Sequence, residues 1–160
     1  MPRQRLTETE NAADAVRKQA LDMLARREHS GAELRVKLAA KGFPADIIND
    51  ALSDLYRSGW LSDERFVEAF LRVRSERGYG PVRIRAELKE RGIDDELIAM
   101  HLDARDSSWL RSLQAICVKR YGAAQPADFA EKAKRMRFLQ TRGFTAEQIR
   151  VVMEHGGDDE

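Results

Sequence analysis

The chain has 160 residues, of which 42% are apolar, and its 28 basic side chains almost balance its 27 acidic ones, for a formal net charge of +1. This size suits one domain or a short repeat array with a buried core. No stretch approaches 18 consecutive apolar residues, and the polar first ten residues lack the apolar core of an export signal, so we expect neither a transmembrane helix nor secretion. The single cysteine, Cys117, cannot form an internal disulfide, and we expect a cytoplasmic protein.

The first group of predicted helices follows an N-terminal segment, residues 1–10, that we expect to be disordered. A leading helix covers residues 11–28, where apolar residues recur at helical spacing. Ser30-Gly31-Ala32-Glu33 is a capping box that starts a second helix. Lys41-Gly42-Phe43 ends that helix, because Gly accepts the left-handed conformation without a Cβ penalty. Pro44 then fits the first turn of a third helix.

A second group repeats this order of elements. Ser62-Asp63-Glu64 opens a leading helix over residues 62–77, and Gly80-Pro81 starts the middle helix. Arg91-Gly92-Ile93 ends the middle helix, and Asp94 can cap the helix that follows.

A third group completes the chain. Its leading helix covers residues 108–121, with Ser107-Ser108 as the cap. Arg142-Gly143-Phe144 ends the middle helix, and Thr145-Ala146-Glu147-Gln148 is a capping box for the last helix. Residues 156–160 form an acidic tail that we expect to be disordered.

The three basic-Gly-apolar triplets reveal an internal repeat. Gly42, Gly92 and Gly143 stand 50 and 51 residues apart, and apolar residues four before, six after and ten after each Gly share the period. Leu34 and Ile84 occupy a further shared apolar position in the first two repeats, and Arg135 stands at that position in the third. Such a period is the signature of stacked helical units, so the sequence predicts an all-α fold of three tandem three-helix repeats in an elongated, curved stack. The repeats cover residues 11–60, 61–106 and 107–155. We expect the three glycines to respond alike to substitution, because each serves as a backbone requirement and not as a contact.

The sequence offers no catalytic, cofactor or metal site. The three histidines lie in different repeats without metal-ligand spacing, and we interpret them as surface or boundary residues. Gly78-Tyr79-Gly80 follows a helix and not a strand, so it lacks the context of a phosphate-binding loop. Acidic pairs such as Asp94-Asp95 lie at helix starts, where the helix dipole explains them. We therefore expect a protein that is not an enzyme and that acts by binding.

The small net charge conceals a segregation of charge by helix. In each repeat the first two helices are basic and the third is acidic. The net charges are +3, +4 and +6 over residues 1–43, 65–92 and 111–142, and −4 over each of residues 44–64, 93–106 and 143–160. A basic stripe across the repeats is the pattern that a binding surface for an anionic partner would give.

Several basic residues lack an acidic neighbour at helical spacing. Like-charged pairs such as Arg85 and Lys89 destabilise a helix by roughly a few tenths of a kcal/mol each, which a binding role would justify. Arg77 and Arg85 in particular leave no obvious ion pair when their charge is reversed. The predicted contact residues are Arg27, Arg35, Arg74, Arg77, Tyr79, Arg85, Lys89, Lys132, Lys134, Arg135 and Arg137.

Four segments of the chain resemble the RecX regulatory proteins. They are Ala25–Leu34, Lys41-Gly42-Phe43, Gly59–Phe66 and the run Glu76–Leu88, which contains Gly78-Tyr79-Gly80-Pro81. The likeness covers about residues 15–155 and is sharpest in the first two repeats. The Gly-Tyr-Gly-Pro segment together with Asp63-Glu64-Arg65-Phe66 is the specific part of it.

The resemblance implies a modulator of the RecA recombinase. Such a protein binds in the groove of the RecA–DNA filament, hinders filament extension, and suppresses ATP hydrolysis, strand exchange and co-protease action, so modulating DNA repair and the SOS response. The expected partner is therefore the RecA filament on DNA, bound by a monomer without a cofactor or a membrane, and weak direct binding to DNA stays open.

Two other functions stay open at this point. The middle and third helices of each repeat could form tandem helix-turn-helix motifs that read DNA for transcription, with the third helix in the groove. Asp46, Asp50 and Asp54 on the third helix of the first repeat would then face phosphates and be repelled. A general protein-interaction scaffold is the other alternative.

Overall fold

The computed structural model describes residues 2–155, with side chains from Thr7 onward, and over this range it contains nine α-helices and no strand. The all-α prediction is confirmed. The helices are α1 Pro2–Arg26, α2 Gly31–Ala40, α3 Ala45–Arg57, α4 Asp63–Glu76, α5 Pro81–Glu90, α6 Asp95–His101, α7 Ser108–Tyr121, α8 Phe129–Arg142 and α9 Ala146–His155. None of these helices is long and apolar enough to cross a membrane.

Disorder was predicted at both ends of the chain. Residues 2–10 lie in α1, so the prediction of a disordered start differs from the structure there. Arg, Gln and Glu in this segment enter a helix readily, and Pro2 is tolerated in a first helical turn. The predicted acidic tail, residues 156–160, lies outside the described residues.

The repeat glycines end the middle helices as predicted. Gly42, Gly92 and Gly143 all have positive φ, at 91°, 77° and 97°. The Gly42 amide donates to the Ala39 carbonyl at 3.0 Å and the Phe43 amide to the Leu38 carbonyl at 3.4 Å. The same two bonds recur two repeat periods later, at 2.9 Å from Gly143 and at 3.3 Å from the residue after it. This is the Schellman arrangement, which reverses the chain after α2 and after α8.

Side-chain caps start several helices. The predicted capping boxes are confirmed: Ser30 and Glu33 exchange both bonds at α2, and Thr145 and Gln148 do so at α9. Pro44 differs slightly, because it is the residue before α3 and not part of its first turn. Ser107 makes no side-chain cap at α7, where the Asp106 carboxylate instead accepts from the Ser108 amide at 2.8 Å.

The apolar positions four before and six after each repeat glycine are buried. Leu38, Leu88 and Leu139 are fully buried, and so in practice are Ile48, Ile98 and Ile149. Burial of one large aliphatic side chain stabilises a fold by roughly 1.5–3 kcal/mol, which accounts for the apolar residue at these positions in every repeat.

Contacts divide the chain into two compact units. Unit 1 runs to Ala69 and takes in Glu90–Asp94, and unit 2 comprises Phe70–Lys89 and the chain from Asp95 onward. In unit 1, α3 packs against α1 and α2, and in unit 2, α9 packs against α7 and α8. The core of unit 1 consists of Val16, Ala20, Leu34, Leu38, Ile48, Ala51, Leu52, Leu55 and Leu61.

Within each unit, a glycine loop of one repeat contacts the start of the middle helix of the repeat before it. In unit 1 the Ser30 hydroxyl donates to the Arg91 carbonyl at 2.8 Å, and Gly92 faces Ala32 so closely that a Cβ at Gly92 would overlap the Ala32 methyl. The first turn of α2 is thus held by its own cap and by a loop 61 residues further along the chain.

The same contact recurs in unit 2. The Gly80 amide donates to the Arg142 carbonyl at 2.8 Å, and the Val82 amide donates to the Gly143 carbonyl at 2.9 Å. A Cβ at Gly80 would overlap the backbone of Gly143, and one at Gly143 would overlap Arg83. Gly92 and Gly143 are therefore contact residues as well as backbone requirements, whereas a Cβ at Gly42 would meet no described atom within 4 Å. The structure separates three glycines that the sequence treats alike.

Candidate functional site

The two predicted contact residues of unit 1 lie on its surface with polar neighbours. The Arg27 guanidinium forms an ion pair with Glu33 at 2.8 Å, and that carboxylate also closes the capping box. The Arg35 Nε donates to the Asn49 side chain at 3.0 Å. Both arginines are exposed, so they remain accessible to a partner.

Arg85 and Lys89 do not stand alone. Their cationic groups lie 3.4 and 3.3 Å from the same Asp95 carboxylate. The expectation that charge reversal at Arg85 leaves no ion pair behind is therefore wrong. A hydrogen bond from Lys89, with Arg85 beside it, lowers the pKa of the Asp95 carboxyl. All three groups are exposed, so the pairing contributes little to stability.

Arg135 is buried, which removes it from the set of surface contacts. It is 9% exposed, and it occupies the core position that Leu34 and Ile84 fill in the other repeats. Its guanidinium forms an ion pair with Glu131 at 2.7 Å, donates to the Ala124 carbonyl at 3.0 Å, and lies over the Tyr121 ring at 4.4 Å. A buried charge needs such partners. The other α8 candidates are exposed, namely Lys132, Lys134 and Arg137.

Tyr79 is surrounded by arginines in unit 2. The guanidinium carbons of Arg83, Arg142 and Arg74 lie 4.3, 4.9 and 5.3 Å from the centre of its ring. Glu87 forms ion pairs with Arg74 and Arg83, each at 3.0 Å. Cation–π contacts of this kind contribute on the order of 0.5–2 kcal/mol each. This Tyr79 cluster fixes the orientation of three cationic side chains with one carboxylate among them.

A basic cleft of about 530 Å³ lies beside this cluster, between the end of α4 and helices α7 and α8. Four cationic side chains line the cleft, and Glu76 is the one acidic residue among its described lining residues. The cations are Arg77, Lys119, Arg120 and Arg142. The cleft therefore has a strong excess of positive charge, which favours an anionic ligand.

An aromatic ring orients two of the cations in the basic cleft. Arg120 lies over the Phe138 ring at 3.8 Å, and Arg142 lies over the same ring at 5.3 Å. Within the described part of the chain, the Arg77 side chain has no hydrogen bond or ion pair, although its carbonyl accepts from Arg142 at 3.4 Å. Planar guanidiniums held by aromatic rings can offer their N–H groups to phosphate or carboxylate oxygens.

The sequence analysis predicted one of the four cations of the cleft. Arg77 was predicted, whereas Lys119, Arg120 and Arg142 were missed. The signal for the first two is that α7 contains no acidic residue to neutralise them. The sequence analysis assigned Arg142 only to the helix end before Gly143. Its side chain lies in the cleft because of tertiary packing, which the sequence pattern does not reveal.

His29 corrects the prediction that all three histidines are surface or boundary residues. It is 3% exposed, with Nδ1 3.0 Å from the Arg27 carbonyl and Nε2 3.1 Å from the Lys37 ammonium. A lysine only donates, so Nε2 accepts and the ring is neutral. Burial lowers the pKa of His29, and the charges of Arg27 and Lys37 lower it further.

Comparison with known proteins identifies the family. Models of the first, second and third three-helix domains of RecX match residues 17–55, 62–102 and 110–153. Each matched segment contains three of the described helices or most of their length.

Curated relatives match along almost the whole chain. A protein named regulatory protein RecX from Halorhodospira halophila is 42% identical over 155 residues, covering 97% of this chain and 96% of its own. RecX proteins from Pseudomonas entomophila and Stenotrophomonas maltophilia are 42% and 38% identical, covering 84% and 88% of this chain and 87% and 86% of their own.

Solved structures share the fold. The crystal structure of RecX from Lactobacillus salivarius has a TM-score of 0.75 at 20% identity, covering 91% of this chain and 97% of its own. A second crystal structure, of a regulatory protein RecX, has a TM-score of 0.76 at 18% identity, covering 92% and 75%. Three matched domains and relatives of about 40% identity lead to one conclusion: the chain belongs to the RecX family of regulatory proteins.

Proposed function

We propose that this protein binds the RecA–DNA filament and inhibits its extension, ATP hydrolysis, and recombinase and co-protease activity, so modulating DNA repair and the SOS response. It acts in the cytoplasm as a monomer, by binding alone and without a cofactor. Membership of a family of regulatory proteins supports a regulatory role, and the observation that carries the mechanism is the basic cleft of unit 2.

The basic cleft supports contact with the anionic part of a filament. A DNA strand presents one phosphate per nucleotide, and cations that neutralise phosphates release counterions and so gain affinity. Arg77 and Lys119 are exposed at the cleft, and Arg120 and Arg142 are oriented by aromatic rings. The remaining exposed cations of unit 2 on α5 and α8 would extend the contact beyond the cleft.

A helix-turn-helix reader of DNA fits the structure less well. The third helix of the first repeat, α3, exposes Asp46, Asp50 and Asp54. In α6, Asp95 is exposed between two cations that belong to α5. Carboxylates on the helices that would enter the major groove would be repelled by phosphates, so reading of bases by these helices is disfavoured.

The first test is RecA ATP hydrolysis on single-stranded DNA, with the protein titrated in at low salt. We expect inhibition at less than one protein per RecA protomer, because a protein that blocks filament extension acts on many protomers at once. An unchanged hydrolysis rate at equimolar protein would overturn the proposal.

A further inference from the structure

The backbone on both sides of Tyr79 is held in place within unit 2. Gly78, which follows α4, has a φ of 86°, and the Tyr79 amide donates to the Arg74 carbonyl at 3.1 Å. On the other side, the Gly80 amide donates to the Arg142 carbonyl at 2.8 Å. The turn that carries the Tyr79 ring is therefore bonded directly to the end of α8, where Arg142 lies.

A carboxylate distinguishes the three arginines around the Tyr79 ring. Glu87 forms ion pairs with Arg74 and Arg83, each at 3.0 Å. Arg142 has no ion pair with any residue that the structure describes. Within the Tyr79 cluster, the charge of Arg142 is thus the one that Glu87 leaves uncompensated.

The same arginine is the one that reaches the basic cleft. Among the described residues, Arg142 lines the cleft, whereas Tyr79, Arg74 and Arg83 do not. The Arg142 Nη1 also donates to the carbonyl of Arg77, another lining residue, at 3.4 Å. Tyr79 therefore contacts a cation of the cleft without lining the cleft itself.

The second aromatic neighbour of Arg142 restrains it less specifically. Phe138 precedes Arg142 by one helical turn on α8, at 5.3 Å from ring centre to guanidinium carbon, and the same ring carries Arg120 at 3.8 Å. The Tyr79 ring lies closer to Arg142, at 4.9 Å, and belongs to a different element. An arginine side chain has a large rotamer entropy, so a restraint from outside its own helix decides where its guanidinium lies.

An aromatic ring orients a guanidinium without neutralising it. A carboxylate accepts the N–H groups of an arginine and cancels its charge, whereas a ring attracts the guanidinium face and leaves the N–H edge for other acceptors. Phosphate oxygens are acceptors that fit this edge. Arg142 can therefore offer its charge to a ligand in the cleft, together with the N–H groups that Arg77 does not accept.

We propose that Tyr79 is a positioning residue, which presents the Arg142 guanidinium to phosphate groups in the basic cleft and does not itself touch the ligand. Glu87 keeps Arg74 and Arg83 in a structural role around the ring. This inference rests on the proposed function for its choice of ligand, because the DNA of a filament supplies the phosphates. Its test uses the protein alone.

The test titrates inorganic pyrophosphate into the ¹⁵N-labelled full chain at low salt, without RecA, and follows the Nε–Hε signal of Arg142. We expect Tyr79→Leu to bind pyrophosphate on the order of tenfold more weakly, the loss expected for one charge-assisted hydrogen bond. Tyr79→Phe retains the ring and should bind like the wild type. Both variants should keep the helical circular dichroism spectrum, because Tyr79 lies outside the helices.

A double-mutant cycle separates positioning from direct contact. Arg142→Gln should weaken binding about as much as Tyr79→Leu, and the double variant should be no weaker than Arg142→Gln alone, because Tyr79 acts through Arg142. Arg142→Lys keeps the charge but not the planar group, so it should also bind more weakly, and it serves as the second variant if Tyr79→Leu does not fold. Additive losses in the double variant, or a loss in Tyr79→Phe equal to that in Tyr79→Leu, would overturn the proposal.

The outcome for the wild type separates this proposal from the action on the filament. No binding of pyrophosphate by the wild type would overturn the role of Tyr79. Binding of pyrophosphate with the predicted pattern of variants, but no binding of RecA filaments, would support the role of Tyr79 and contradict the proposed function.

Discussion

Both ring nitrogens of His29, which lies just before α2, make hydrogen bonds. It is enclosed by the Arg27 carbonyl and the Lys37 ammonium, with the Glu33 carboxylate nearby. The lowered pKa of His29 means that the unfolded chain binds a proton more readily than the folded protein. The contribution of the neutral ring is therefore complete above the ordinary value of 6.5 and falls as the pH drops below it.

We predict that His29→Gln reduces the acid sensitivity of the fold. The free energy of unfolding of the wild type should fall more between pH 7.5 and pH 5 than that of the variant, since Gln does not titrate. Urea denaturation at both pH values measures the difference, in which the titration of other groups cancels. A larger loss in the variant would show that the folded ring binds the proton more tightly than the unfolded chain.

Single residues also show what the sequence could not reveal. The departure at Arg135 from the apolar repeat pattern was visible, but its burial against Tyr121, Glu131 and Ala124 was not, because two of these partners are brought together by the α7–α8 connection. Likewise, the charge pattern predicted Arg77 as a binding residue, whereas the three arginines around Tyr79 meet only after α4, α5 and α8 have packed.

At the scale of the elements, the glycine loops connect consecutive repeats. Gly92 and Gly143 each combine a left-handed backbone with a contact to the preceding repeat, while Gly42 has the backbone alone. A Cβ in the left-handed region costs about 1 kcal/mol. Where it also overlaps packed atoms, overpacking adds roughly 1–3 kcal/mol.

We predict that alanine substitution separates the three loops. Gly42→Ala should lower the free energy of unfolding by about 1 kcal/mol, and Gly92→Ala and Gly143→Ala by about 2–4 kcal/mol each. Denaturant unfolding followed by circular dichroism measures all three variants, with Gly42→Ala as the matched control for backbone strain. Equal losses at the three positions would mean that the contacts of Gly92 and Gly143 contribute nothing.

The elements themselves follow closely from local sequence. Gly at the ends of the middle helices, Ser30 and Thr145 with their partners, and the buried Leu and Ile positions are governed by interactions within a few residues, so the pattern predicted them correctly. The loop-to-helix hydrogen bonds span 61 residues or more in sequence and depend on how one repeat packs on the next. The periodicity within a repeat contains no information about contacts between residues so far apart in sequence.

At the scale of the whole molecule, charge is divided between helices. The exposed carboxylates of α3 and the exposed cations of α2, α5 and α8 keep the net charge near zero while concentrating positive charge in particular places. The basic cleft of unit 2 is one such place. A groove between α1 and α2, lined by Lys18, Arg26, Lys37 and Lys41, is another. A nearly neutral protein can thus present local sites for anionic partners.

The most direct measurement of the central claim is co-sedimentation with RecA filaments on single-stranded DNA, over a range of salt concentrations. The double variant Arg77→Glu/Lys119→Glu reverses two cations of the basic cleft. Arg105→Glu/Arg111→Glu is the control, since it changes the net charge equally at exposed positions outside the cleft. We predict that the cleft variant binds at least tenfold more weakly and that its salt slope falls by roughly one to two, as expected for the loss of phosphate contacts. The control should bind like the wild type. Wild-type affinity and salt slope in the cleft variant, or equal losses in both variants, would contradict the account.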